Sequence, residues 1–275
     1  MSSNAARLWH YGSTCSSKGA LQESQHKTKV TILKTTNPAQ MSQATMEIEG
    51  TAMTNNNINQ RKPRFLCLHG FRTSGAILKK QILDKWPTQV VEKLDLAFVD
   101  APFPSQGKSE VEGIFDPPYY EWYQFNKDSK EYQNFDNCLA YIEECMIKHG
   151  PFDGLLGFSQ GAILSGALPG LQDKGVGLTK VPKIKYLIII SGAKLQNKPL
   201  AEKAYSSAIT CPSVHFLGER DYLKKYGMEL LESYVDPLAI HHPRGHTIPR
   251  FDEKGLESMI SFIEKVQAEL ASEQV

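Results

Sequence analysis

A chain of 275 residues can form one large domain or two small ones, and 41% hydrophobic with 22% charged residues is ordinary for a protein that buries a core. The net charge of +1 gives no reason to expect nucleic acid as a partner, and the absence of a run of about 18 apolar residues argues against a membrane span. These values are typical of a globular protein but do not indicate its function, which must be inferred from local motifs.

Residues 1–62 differ in composition from the rest of the chain. Ser, Thr, Asn and Gln dominate, apolar residues do not recur with a period, and three asparagines at 55–57 come shortly before the first strand-like run. This composition predicts a disordered extension over residues 1–62 and a folded domain over residues 63–275. Because acidic residues are scarce early in the extension, an organellar transit peptide is the alternative.

The five cysteines are odd in number and scattered, without a C-x-x-C pair. Several lie in apolar runs, which indicates buried free thiols in a reducing compartment. We therefore expect a cytoplasmic protein, with an organelle as the alternative if the N-terminal segment is a transit peptide.

The predicted domain opens with an apolar run at residues 64–69, which is typical of a short buried strand. Gly70 then begins a turn, with Thr73 or Ser74 as the N-cap of a helix over residues 76–91. A second strand is predicted at residues 94–99. This order of elements is the first strand–helix unit of a parallel sheet.

The segment that follows, residues 103–128, has neither a helical nor a strand period. A connection of this length in a compact domain is typical of a lid or binding loop. Since it leaves the carboxyl end of the second strand, we expect Phe115, Trp122 and Tyr123 to line an apolar substrate pocket. The alternative is that these aromatic residues fill the end of the core.

Helices and strands alternate through the rest of the chain. A helix with an apolar face covers about residues 135–149, and strand-like runs follow near residues 153, 186, 213 and 238. The last helix begins near Asp252. With the first two strands, this alternation predicts one α/β domain with a mainly parallel sheet and helices on both faces.

The turn after the strand near residue 153 carries the motif Gly157-Phe158-Ser159-Gln160-Gly161. A strand, a sharp turn and a helix with serine at the apex is the context of a nucleophile elbow. The two glycines fit a turn in which the strand and helix backbones approach too closely for a Cβ. The alternative is a glycine-rich turn with an incidental serine.

A nucleophilic serine needs a base to take its proton and a carboxylate to orient that base. Asp221 follows the strand near residue 213, and His246 precedes the last helix. Both lie in loops where the partners of an elbow serine are expected, in the order Ser, Asp, His. Ser159, Asp221 and His246 are therefore the predicted catalytic residues.

Other residues are alternatives for two of these roles. The competing carboxylates are Glu219, Asp236 and Asp252, of which the last two also fit helix termini. The competing histidines are His241 and His242, whereas His69 and His215 are expected to be structural. The His and Cys spacings match no metal motif, so we expect neither a metal nor another cofactor.

A serine hydrolase also needs an oxyanion hole of preorganised backbone N–H groups. One donor is expected at Gln160, directly after the nucleophile, and the other at Phe71, in the turn after the first strand. Because the backbone supplies both donors, the side chains at these two positions are expected to be free to vary.

Together these motifs resemble the FSH family of serine hydrolases, which belongs to the α/β-hydrolase superfamily and is similar to the carboxylesterase and acyl-protein thioesterase group. The motifs that carry the resemblance are residues 66–74, the 157–161 elbow, Ser191-Gly192, Gly218-Glu219-Arg220-Asp221 and Gly245-His246. The resemblance covers about residues 64–275. It implies an α/β-hydrolase fold and hydrolysis of carboxylic esters or thioesters, with Ser159, Asp221 and His246 in the triad positions.

We therefore expect a cofactor-independent serine esterase that acts on esters, or on thioesters, with small apolar acyl or alkyl groups. The alternative is a receptor of the same fold that binds a small ligand with little turnover. No feature of the sequence indicates an oligomeric state.

Overall fold

The structure, a computed structural model, describes residues 61–126 and 131–273. Most of the predicted extension, residues 1–60, lies outside the described residues. Arg61, which the sequence places in that extension, makes contacts with the folded part, because its guanidinium donates two hydrogen bonds of 2.6 Å to the Asp153 carboxylate. In the described part of the chain, no helix is long and apolar enough to cross a membrane.

Six strands form the central sheet, and every neighbouring pair is parallel. In chain order they are β1 (Arg64–Leu68), β2 (Asp95–Val99), β3 (Gly154–Phe158), β4 (Tyr186–Ile190), β5 (Ser213–Gly218) and β6 (Leu238–His242). Their spatial order is β6-β5-β4-β3-β1-β2. The predicted parallel sheet is confirmed.

In the described part of the chain, six helices connect these strands and a seventh follows β6. They are α1 (Gly75–Lys85), α2 (Thr88–Val91), α3 (Phe135–His149), α4 (Gln160–Asp173), α5 (Lys198–Ala204), α6 (Lys224–Leu231) and α7 (Glu253–Ser272).

The helices cover both faces of the sheet, as the buried residues of β1 demonstrate. Leu66 and Leu68 belong to an apolar cluster that includes residues of α3 and α4. Phe65 and Cys67 belong to a second cluster, with residues of α1 and α7. Because successive residues of a strand point to opposite faces, the two clusters lie on opposite sides of the sheet.

Two regions differ from the sequence prediction. The helix predicted at residues 76–91 is divided, because α1 ends before Pro87, which fixes its own φ and disfavours a helical residue before it. The described part of the 103–128 loop contains three short strands. Phe103–Pro104 pairs antiparallel with Tyr120–Glu121, and Gln124–Asn126 pairs antiparallel with Glu131–Gln133, which follows the loop. Strands of two or three residues are too short to show a period in the sequence.

The parallel arrangement determines where the site lies. The turns after β1, β3, β5 and β6 all leave the same edge of the sheet. These turns carry Phe71, Ser159, Asp221 and His246, in that order. The fold therefore brings the predicted site residues to one edge.

Candidate active site

Ser159 occupies a sharp turn between β3 and α4. Its φ of 54° and ψ of −116° lie outside the regions that non-glycine residues usually adopt. A Cβ on Gly157 would lie 2.3 Å from the Gly161 carbonyl oxygen, and a Cβ on Gly161 would lie 2.1 Å from the Leu68 carbonyl oxygen. Neither glycine position admits a side chain, so the close approach of strand, helix and β1 keeps Ser159 at the apex.

The imidazole of His246 links Ser159 to Asp221. Its Nε2 lies 2.8 Å from Ser159 Oγ, and its Nδ1 lies 3.0 and 3.1 Å from the two carboxylate oxygens of Asp221. Because an ionised carboxylate can only accept hydrogen bonds, Nδ1 carries the proton in this pair. Nε2 is then the nitrogen that accepts from the Ser159 hydroxyl.

The Asp221 carboxylate is buried, with 1% of its side chain exposed. Burial alone would raise the pKa of Asp221, but the hydrogen bond and charge of His246 and the N–H of Leu223 outweigh it and hold the pKa below its usual value. The Leu223 N–H lies 2.8 Å from Oδ1. Asp221 is therefore an ionised carboxylate at neutral pH.

Two of the competing carboxylates have other partners. Glu219 lies 3.1 Å from His241 Nδ1 and 2.5 Å from Lys224 Nζ. Asp252 is the N-cap of α7 and accepts from the N–H of the third residue of that helix at 2.8 Å. Of the candidate carboxylates, the structure brings Asp221 to His246.

Two of the other histidines, His69 and His215, are buried and placed as structural residues. His69 is fully buried, donates through Nδ1 to the Gly70 carbonyl oxygen at 2.8 Å and accepts the Ala101 N–H on Nε2 at 2.9 Å. Burial lowers the pKa of His69 to about 4 and that of His215 to about 3, so both rings are neutral. His242 is also buried, and neither of its ring nitrogens has a partner among the described residues.

The turn after β1 packs directly on the elbow. A Cβ on Gly70 would lie 3.4 Å from the Cβ of Ser159, and Phe71 follows Gly70 in this turn. Gln160 is the first residue of α4, a position whose N–H has no acceptor within the helix. Both expected oxyanion donors therefore belong to backbone that borders Ser159.

The Gln160 side chain is not free to vary, contrary to the sequence prediction. Its Oε1 accepts the Trp122 N–H at 3.1 Å, and its Nε2 donates to the Tyr123 carbonyl oxygen at 2.8 Å. The residue is only 5% exposed. The sequence shows an amide after the nucleophile but gives no signal for the distant segment that it binds.

The prediction that the aromatic residues of the 103–128 loop line a pocket requires a correction. Trp122 is fully buried, and its Nε1 donates to the His69 carbonyl oxygen at 2.9 Å. Tyr123 is also buried, with its ring edge-on to Phe135 at 5.4 Å. Neither ring faces open space, so both fill the end of the core instead of lining a pocket. Phe115 is half-buried and is still a pocket candidate.

Tyr222 is a further residue at the site, which sequence reasoning missed. Its ring lies 4.5 Å from the His246 imidazole with an angle of 33° between the planes, and the residue is 40% exposed. The Phe158 ring lies 5.2 Å from the same imidazole. The sequence does place Tyr222 directly after Asp221, a position from which an aromatic side chain can reach the catalytic histidine.

The profile of the serine hydrolase (FSH1) family matches residues 57–256. The chain belongs to this family. An esterase of Anopheles gambiae is 30% identical to this FSH1-family chain over 201 residues, which cover 69% of this chain and 73% of that protein. Rhodanese-like domain-containing protein 6 of Arabidopsis thaliana is 31% identical over 227 residues, which cover 71% of this chain and 38% of that protein.

The fold of this FSH1-family hydrolase is similar to that of Zea mays acyl-protein thioesterase 2. The crystal structure of that protein matches with a TM-score of 0.50 at 18% identity and covers 76% of this chain and 94% of its own. The predicted family, the α/β-hydrolase fold and the class of enzyme, an ester hydrolase, are thereby confirmed.

Proposed function

We propose that this hydrolase cleaves carboxylic esters through an acyl-enzyme on Ser159, with His246 as general base and Asp221 as the orienting carboxylate. The observation that carries this proposal is the continuous hydrogen-bonded path from Ser159 Oγ through the imidazole to the buried carboxylate. Asp221 is ionised, and its bond to Nδ1 leaves Nε2 of the imidazole facing the Ser159 hydroxyl.

In the first half-reaction, Ser159 Oγ attacks the acyl carbonyl while its proton passes to Nε2 of His246. Asp221 stabilises the imidazolium that forms. The negative charge on the tetrahedral intermediate is accepted by the N–H groups of Gln160 and Phe71, and each such donor typically contributes roughly 3–4 kcal/mol.

Collapse of the intermediate expels the alcohol, or the thiol of a thioester, which takes the proton from His246. The acyl group is left on Ser159. Water then attacks the acyl carbonyl with His246 again as base, and the carboxylic acid leaves as Ser159 Oγ regains its proton.

The proposed substrates are esters, or thioesters, with a small apolar acyl or alkyl group. The 103–128 loop is attached to the turn after β1, because Ser109 Oγ donates to the Arg72 carbonyl oxygen at 2.6 Å. The charge of Glu110, in the same loop, also acts on Tyr222, whose pKa is raised mainly by burial. Its apolar Ile114 is 75% exposed. A loop with this path can present apolar surface to an acyl chain above Ser159.

A series of p-nitrophenyl esters from acetate to decanoate tests this proposal. We expect kcat/KM to rise beyond acetate by about tenfold or more, because each buried methylene contributes roughly 0.8 kcal/mol. Phe115→Ala should reduce the rise, whereas Phe125→Ala, whose ring packs on Tyr132 at 5.3 Å, should preserve it. A steady fall from acetate onward would contradict the apolar substrate class, and a single turnover per molecule would favour a ligand receptor.

A further inference from the structure

The side chain of Gln160 joins the elbow to a buried segment of the 103–128 loop. Both polar atoms of its amide are bonded to the backbone of Trp122 and Tyr123, at 3.1 and 2.8 Å. A buried amide with its donor and its acceptor both satisfied is held in one orientation. The first residue of α4 is thereby fixed relative to residues 121–123, which we call the brace.

The brace also contacts the turn after β1. The indole Nε1 of Trp122 donates to the His69 carbonyl oxygen at 2.9 Å, and the Gly161 N–H donates to the same oxygen at 3.1 Å. This oxygen therefore accepts one bond from the brace and one from the elbow. His69 lies two residues before Phe71, so the bonds hold the chain that leads into the expected oxyanion donor.

The third contact of the brace lies on the other side of Phe71. Arg72 has a φ of 53°, which a residue with a side chain rarely adopts, and its Nε lies 2.7 Å from Glu121 Oε1. Glu121 is 1% exposed and also accepts from the Gln106 N–H at 3.2 Å and the Gln124 amide at 3.1 Å. This partly buried ion pair holds Arg72 in the strained conformation that sets the direction of the chain after Phe71.

We propose that Gln160 is a positioning residue, whose side chain holds the two oxyanion donors at the correct separation through the brace. The inference rests on the proposed function, since it assigns the N–H groups of Gln160 and Phe71 to the oxyanion. Donors of this kind act only when they are held within about 0.5 Å of the productive geometry. Loss of the brace contact therefore weakens binding of the transition state more than binding of the substrate.

A second glutamine of the same helix provides a matched control. The Nε2 of Gln172 donates to the Leu178 and Pro182 carbonyl oxygens at 2.9 and 3.1 Å, and its Oε1 accepts the Ile184 N–H at 3.1 Å. It holds a loop with the same chemistry, but roughly 18 Å further along α4. A glutamine whose role is purely structural should behave like Gln172.

The experiment compares Gln160→Met and Gln172→Met in the full chain, with p-nitrophenyl acetate as substrate and at a temperature well below each Tm. Methionine keeps the approximate length and volume but makes neither hydrogen bond. We expect Gln160→Met to lower kcat by about tenfold or more with KM within about twofold. Affinity for a trifluoromethyl ketone, which forms an oxyanion adduct with an active serine, should fall by a similar factor. Gln172→Met should lower Tm but keep kcat within about twofold.

A kcat of Gln160→Met within twofold of wild type would overturn the inference, and so would equal losses of kcat in the two variants. If Gln160→Met does not fold, Trp122→Phe replaces it, because phenylalanine keeps an aromatic ring but removes the N–H that binds the His69 carbonyl oxygen. A kcat of that variant within twofold of wild type also overturns the inference. Wild-type protein without multiple turnover would overturn the proposed function as well, whereas active wild type with an unimpaired Gln160→Met overturns the inference alone.

Discussion

The ring of Tyr222 lies 4.5 Å from the imidazole of His246, close enough to stabilise a charge on it. In the proposed mechanism His246 becomes an imidazolium, and an aromatic face stabilises a nearby cation by about 0.5–2 kcal/mol. We expect Tyr222→Ala to lower kcat/KM by about 2- to 30-fold, while Tyr222→Phe stays within about twofold. Steady-state kinetics on p-nitrophenyl butyrate measures both. A phenylalanine variant as impaired as the alanine variant would assign the effect to the hydroxyl group.

Asp221 and Glu219 lie two residues apart in one loop but have different partners. Asp221→Asn keeps the shape of the side chain and removes the carboxylate that accepts from His246 Nδ1, so kcat is expected to fall by about 10⁴. Glu219→Gln weakens contacts with Lys224 and His241 only, so kcat should stay within about threefold. Equal losses of kcat in the two variants would show that the effect comes from a disturbed loop conformation rather than from the Asp221 carboxylate.

Two of the buried histidines, His69 and His215, predict a loss of stability in acid. The pKa of His69 is about 4 and that of His215 about 3, below the ordinary 6.5, because burial disfavours the charged ring. Between these values and pH 6.5 the unfolded chain binds more protons than the folded chain, so stability is complete above about pH 6.5 and falls as the pH falls. Lowering the pH from about 7 to about 5 should cost on the order of 2 kcal/mol for each histidine.

Urea denaturation at the two pH values measures this loss. His215→Leu should reduce the pH-dependent part of the unfolding free energy by about one histidine's share, whatever its effect on the absolute stability. A pH dependence equal to that of wild type in this variant would contradict the assignment.

The elbow and its partners could be predicted from sequence because their causes are local. Two glycines around a serine indicate a steric constraint within a five-residue motif. The carboxyl ends of parallel strands also lie at one edge of the sheet. For that reason the sequence could place His246 beside Ser159, although the two lie 87 residues apart in the chain. The parallel pairing follows from the alternation of strands and helices.

The surroundings of the site could not be predicted, because their causes are not local. An aromatic residue that is buried cannot be told from one that lines a pocket in a sequence. Trp122 was therefore expected to face the substrate. In the structure its indole Nε1 instead donates to the His69 carbonyl oxygen. The role of the Gln160 side chain depends on a segment 38 residues away. No periodic pattern marks that segment, since its strands contain only two or three residues.

The central claim is that Ser159 is the nucleophile, and covalent labelling tests it most directly. A fluorophosphonate probe forms a stable bond with a serine that an adjacent base activates. We expect wild-type protein to gain the mass of one probe, located by peptide mapping to Ser159, and Ser159→Ala with an unchanged Tm to stay unlabelled. Equal labelling of wild type and Ser159→Ala would contradict the account.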